Sequence, residues 1–228
     1  EHNKSELLSL IAESFKQFNT LLILANKNGI RATQKLFPDE YDSTPLPESS
    51  ISRDCKTYAD RSKAEAENWK GENLSILEIG LASGAHASSI ISTCQPELFH
   101  AVDLNLSQLK DESKALLEKY AIDHEVKLFQ EDSRTFLNER TKLGAIYDII
   151  YIDASHWYCS VNIELLLSTK IIRSKGKIVL NDYCRWFTGS MEPCGVIKSV
   201  NNFLKDNDNW KVHYFAINDS DICLVKLD

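Results

Sequence analysis

Residues 75–84 read Ser-Ile-Leu-Glu-Ile-Gly-Leu-Ala-Ser-Gly. Ile76, Leu77 and Ile79 make a short apolar run, and Gly80 and Gly84 follow it. Such a run predicts a buried strand that turns sharply and enters a helix. Glycines at the turn let a ligand approach the backbone, and the helix N-terminus offers unpaired N–H groups. The spacing is Gly-x-x-x-Gly, not the Gly-x-Gly-x-x-Gly of dinucleotide binders. Glu78, just ahead of the first glycine, suits an ammonium-bearing ligand better than a pyrophosphate.

Strands and helices alternate outward from this loop. Strands are expected at Leu74–Ile79, Leu98–Asp103, Glu125–Gln130, Tyr147–Ile152 and Lys177–Leu180. Helices are expected at Ala85–Thr93, Ser107–Tyr120 with Ser107 as N-cap, Ser133–Thr141 and Trp157–Ile172. The alternation predicts a doubly wound, Rossmann-like α/β fold with a mostly parallel sheet covered by helices on both faces. After a helix near Pro193–Leu204, two strands, Trp210–Ile217 and Ile222–Lys226, flank the turn-like Asn218–Asp221. So short a link forces them antiparallel. The expected sheet therefore has seven strands and ends in an antiparallel hairpin. Ahead of it, residues 1–36 carry Leu7, Leu8, Ile11, Phe15 and Phe18 at helical spacing. The Pro-containing residues 37–50 read as a loop, and Cys55–Trp69 as a further helix. We divide the chain into an N-terminal helical extension (1–70) and a main domain (71–228).

Composition narrows the function. The chain has 228 residues and a formal net charge of −7, which opposes a nucleic-acid partner because phosphate binding wants a basic face. No apolar run approaches the roughly 18–20 residues of a membrane span. The six cysteines are scattered, with no CxxC pair, so a reducing cytoplasm is the expected setting.

Open α/β sheets bind ligands beyond the carboxyl ends of their strands. Glu78, Asp103, Asp132 and Asp153 all stand at such ends. Asp103 follows Gly84 at the spacing of the acidic residue that holds ribose hydroxyls in doubly wound folds. Asp132, with Ser133, either accepts from an adenine amino group or caps the next helix. With the glycine loop and the terminal hairpin in place, Leu77-Glu78-Ile79-Gly80-Leu81-Ala82-Ser83-Gly84 resembles motif I of class I S-adenosylmethionine (SAM) dependent methyltransferases. The resemblance covers about residues 74–227. It implies SAM as cofactor, held by Glu78, Gly80, Ser83, Gly84, Asp103, Asp132, Ser133 and Asp153. SAM carries an amino group and a sulfonium and no phosphate, in keeping with Glu78.

Two further segments, Ile152-Asp153-Ala154-Ser155-His156-Trp157-Tyr158 and Val179-Leu180-Asn181-Asp182-Tyr183, resemble metal-dependent small-molecule O-methyltransferases of the catechol and macrocin types. Residues 176–204 are nearest the macrocin type. Asp153, Asn181 and Asp182 are the candidate ligands of Mg²⁺ or Ca²⁺, both of which take oxygen donors; the alternative is a turn that only shapes the pocket. The macrocin type has two aspartates where this chain has Asn181-Asp182, and Lys177 replaces the second glycine of its glycine pair. His156 stands three after Asp153, where the catechol type carries a lysine base. It is either the general base for the acceptor hydroxyl or a loop histidine. Trp157, Tyr158, Tyr183, Trp186 and Phe187 either wall the acceptor or pack helices on the sheet. The expected activity is methyl transfer to a hydroxyl of a small molecule, with residues 1–70 as lid or homodimer contact. Metal-free N- or C-methylation, a SAM-binding module without turnover and a related hydroxylase are the alternatives.

Overall fold

The computed structural model describes residue 40, residues 44–184 and residues 194–228. The expected helix over 1–36 and the aromatic pair Trp186 and Phe187 lie outside the described residues. Eight strands form one sheet: β1 (Ile51–Tyr58), β2 (Ser75–Ile79), β3 (Leu98–Asp103), β4 (Glu125–Gln130), β5 (Tyr147–Ile152), β6 (Ile172–Leu180), β7 (Trp210–Ala216) and β8 (Asp221–Lys226). Their order is β1-β7-β8-β6-β5-β2-β3-β4. The helices are α1 (Arg61–Asn68), α2 (Ala85–Cys94), α3 (Asp111–Tyr120), α4 (Ser133–Lys142), α5 (Tyr158–Ile171) and α6 (Val196–Asp206).

Both faces of the sheet are buried, and the strands alternate between two cores. Leu77, Ile79, Ile150, Ile152, Ile178 and Leu180 pack with Phe136, Leu165 and Phe203 of α4, α5 and α6. Ile76, Phe99, Ile149, Tyr151 and Val179 pack with Ala64, Ile90 and Leu117 of α1, α2 and α3. Strands buried on both sides read as continuous apolar runs, which is why β2, β3 and β5 are plain in the sequence. β8 is antiparallel to both β6 and β7, as the terminal hairpin requires.

The sheet has eight strands where seven were expected. Residues 51–58, of which 55–58 were read as the start of a helix, form β1, parallel to β7. Only Tyr58 of this strand is buried, so its sequence carries no apolar alternation, and Arg53, Asp54 and Lys56 mark a charged edge strand. The helix expected over Ser107–Tyr120 begins instead at Asp111. Asn105 caps a single 3₁₀ turn over Leu106–Gln108, and the Lys110 N–H then donates to the Ser83 carbonyl, tying this segment to the glycine loop.

Candidate functional site

Four neighbouring strands, in the order β5-β2-β3-β4, set out the rim of the site. Backbone hydrogen bonds keep their ends in step: Gly80 N–H to Val102 carbonyl, 2.9 Å, Asp153 N–H to Ile79 carbonyl, 2.8 Å, and, from β6, Asn181 N–H to Ile152 carbonyl, 3.0 Å. Beyond the rim lies a cavity of about 540 Å³ lined by Gly80, Asp103, Ser133, Asp153, Trp157 and Glu164, among others. Gly80 has φ +90°, and a Cβ there would run into the Asp153 carbonyl. The loop therefore needs glycine both for its backbone and for the approach of the next strand.

The expected cofactor residues divide into three groups. Gly80, Asp103, Asp132, Ser133 and Asp153 share the cavity wall. Asp103 accepts from the N–H groups of Leu81 (2.7 Å), Ala82 (3.0 Å) and Asn105 (2.8 Å). Burial works against its ionised form, yet these donors hold its carboxyl below the ordinary value. Asp132 caps α4, accepting from Arg134 and Thr135 N–H, and pairs with the Arg134 side chain at 2.8 Å. Ser83 and Gly84 shape the turn: the Ser83 carbonyl accepts from Lys110, and Gly84, at φ +73°, is the N-cap of α2. Glu78 lies beneath the rim, with 1% of its surface exposed.

Glu78 belongs to a buried triad. His86 Nδ1 faces Glu78 Oε1 at 2.9 Å, and Nε2 faces Glu65 Oε1 at 2.7 Å. A ring that donates at both nitrogens is the imidazolium. Burial opposes that charge, but the two carboxylates outweigh it and push His86 up to about 10. Burial also raises Glu78, against the pull of His86. The Tyr151 ring lies 4.1 Å from the imidazole, centroid to centroid. The triad ties α1 to the glycine loop, a link that only the tertiary structure reveals.

At the β5–β6 end, Asp153, His156 and Asp182 come together, their potential ligand atoms all within 4.8 Å of one another. His156 Nε2 lies 2.9 Å from Asp182 Oδ2 and 3.6 Å from Asp153 Oδ1. Burial disfavours the imidazolium, but the Asp153 and Asp182 carboxylates prevail and push His156 to about 10. Asp182 adopts φ +57°, a left-handed conformation that costs an L residue energy and concentrates at functional sites. The His156 carbonyl accepts from Gly195 N–H at 2.7 Å, and a Cβ on Gly195 would strike the Tyr158 backbone. Asn181, expected as a third oxygen donor, is held by its amide nitrogen. That nitrogen donates to the Asp219 carbonyl (3.0 Å) and to Asp221 Oδ1 (2.8 Å). Asp221 in turn pairs with Arg61 at 3.1 Å. His156, expected as a base, stands in the cluster with Asp153 and Asp182.

Glu164 in the cavity wall was not anticipated. It lies in the run Glu-Leu-Leu-Leu of α5, and nothing in its spacing marks it. It is 2% exposed, accepts a hydrogen bond from the Ser133 hydroxyl at 2.5 Å, and is pushed by burial up to about 7.

Residues 77–183 match a family model described as a methyltransferase domain. No curated protein matches the chain. Among solved structures, the O-methyltransferase TomG from Streptomyces achromogenes, in complex with SAM, is 12% identical at TM-score 0.54, over 88% of this chain and 90% of that one. A "putative rRNA-methylase" from Clostridium thermocellum is 16% identical at TM-score 0.56, over 74% of this chain and 94% of that one. The MycE methyltransferase of the mycinamycin biosynthetic pathway, with Mg and S-adenosylhomocysteine, is 15% identical at TM-score 0.52, over 73% of this chain and 48% of that one. At such identities the likeness speaks for the fold. Among the described residues no helix is long and apolar enough to cross a membrane, and all six cysteines are free. The chain has the fold of the SAM-dependent methyltransferases, and its residues 77–183 match their methyltransferase domain.

Proposed function

We propose that the protein transfers a methyl group from SAM to a hydroxyl of a small molecule, with a divalent cation, Mg²⁺ or Ca²⁺, at Asp153, His156 and Asp182. The observation that carries this reading is the convergence of those three side chains, of which Asp153 also lines the cavity. The two carboxylates fit such a cation, supplying oxygen ligands and compensating charge, whereas the imidazole is a donor more usual for a transition metal. When bound, the cation lowers the pKa of an acceptor hydroxyl and orients it toward the sulfonium methyl.

The chain's own residues do the rest. Asp103 takes the ribose hydroxyls, and the glycine loop admits the cofactor to the backbone. Asn181 buttresses Asp182 from behind by holding Asp219 and Asp221. Without a metal the Asp153 and Asp182 carboxylates push His156 up to about 10, so a cation at this site would displace the proton from the ring.

The carboxylates of Asp153 and Asp182 favour an uncharged acceptor over a phosphate-bearing one. An RNA acceptor is the second reading, prompted by the rRNA-methylase likeness. The test measures S-adenosylhomocysteine release from SAM with a panel of catechols, sugars and macrolides, and with bulk rRNA, with and without chelator. Turnover on a small hydroxyl compound that chelator abolishes is the expected result. Turnover on rRNA alone, or none lost to chelator, overturns the reading.

A further inference from the structure

The sheet order sets Asp153, Gly80, Asp103 and Asp132–Ser133 along the rim in that sequence, at the ends of β5, β2, β3 and β4. Under the proposed function, the reacting end of the cofactor lies at Asp153 and its ribose at Asp103. Its base is then left for the far end, where α4 and α5 meet. That end presents Leu104, 70% exposed at the cavity rim, together with Trp157, Ser133 and Glu164. An exposed apolar side chain and an indole suit a flat ring.

Glu164 gives this end its selectivity. Oε1 accepts the Ser133 hydroxyl, whereas Oε2 is buried and has no hydrogen-bond partner among the described residues. A buried polar atom without a partner costs free energy, and the terminal torsion of a glutamate is soft. A ligand seated against this wall can therefore take up Oε2 and satisfy it. We propose that Glu164 reads the purine of the cofactor, its protonated Oε2 donating a hydrogen bond to a ring nitrogen while Ser133 holds Oε1. The inference rests on the SAM reading of this cavity.

Burial pushes Glu164 up to about 7; the Ser133 hydrogen bond, Arg134 and His156 oppose the rise, and Asp132 adds to it. A base-binding role that needs this proton weakens as the proton leaves.

Calorimetric titration of S-adenosylhomocysteine across neutral pH tests the idea. Wild-type affinity is expected to fall about tenfold per pH unit once pH exceeds the Glu164 value. Glu164→Gln presents an amide N–H in place of the acid and is expected to bind with little pH dependence. Glu164→Ala is expected to lose about tenfold. Of the 1-, 3- and 7-deaza analogues, one should bind the wild type as weakly as Glu164→Ala binds the parent ligand, with no further loss when analogue and variant are combined. Thermal melting of each ligand-free variant checks that it folds. Wild-type binding with the same pH profile as Glu164→Gln, or additive losses for all three analogues, overturns the assignment and leaves the SAM reading standing. No binding of S-adenosylhomocysteine by the wild type at any pH overturns both.

Discussion

Replacing His86 by alanine leaves Glu65 and Glu78, each about 1% exposed, as buried carboxylates facing the hole where a cation stood. Breaking a buried ion pair by removing one partner costs about 3–5 kcal/mol. For a chain of this size each kcal/mol shifts the melting temperature by roughly 2–4 °C, so the expected drop is about 6–20 °C. Loss of the imidazole's contact with Tyr151 adds to it. The pH dependence has a definite sign. His86 rises from 6.5 to about 10 on folding, so its contribution is full below 6.5 and is lost as pH climbs toward 10. His156 shifts in the same direction to about 10. The wild type should therefore lose stability between these values, with each histidine contributing a slope of up to about 1.4 kcal/mol per pH unit. His86→Ala should keep about half of that slope. Urea unfolding followed by circular dichroism, at several pH values through this window, reads both quantities. A loss under about 1 kcal/mol at neutral pH, or a variant slope equal to that of the wild type, refutes the claim that the triad is ionic and buried.

Other perturbations separate the parts of the site. Under the proposed function the wild type should give a Mg²⁺ isotherm by calorimetry that Asp153→Asn and Asp182→Asn each abolish; an unchanged isotherm in either places the cation elsewhere. Gly80→Ala meets both an unfavourable φ and the Asp153 carbonyl; it should cost about 3 kcal/mol or more by thermal melting. Asp103→Ala removes the acceptor of three backbone N–H groups. It should weaken S-adenosylhomocysteine binding more than about tenfold by calorimetry, and equal affinity would remove Asp103 from the cofactor site.

The sheet was legible wherever burial on both faces wrote itself as an apolar run. β2, with Ile76, Leu77 and Ile79, and β5, with Ile149, Ile150 and Ile152, are cases in point. β1 was illegible because an exposed edge strand places no such demand: Ser52, Arg53, Asp54 and Lys56 satisfy the edge while resembling loop or helix surface. Within the site, residues fixed to strand ends, such as Gly80, Asp103 and Asp153, could be found from their spacing. Glu65 and Glu164 could not, because only the packing of their helices on the sheet brings them to His86 and Ser133. Asn181 and His156 show a finer limit. Both flank the β5 and β6 ends, but the amide turns toward Asp221 and the imidazole toward Asp182, a choice that depends on β8 lying alongside.

The place of β8 also orders the folding of the molecule. It is the last of the eight strands to be synthesised, yet it sits inside the sheet between β6 and β7. Until it arrives, β7 has no bridge to β6, and β1, whose Ile51 pairs with Val212, has no sheet to join. The earlier strands, β2 to β6, can assemble on the emerging chain. The Asp219–Asp221 turn that backs Asn181 comes only with the strand that closes the gap. A ribosome-bound chain halted before residue 221 would thus hold the glycine loop and Asp103 in place but leave the Asp182 corner unsupported.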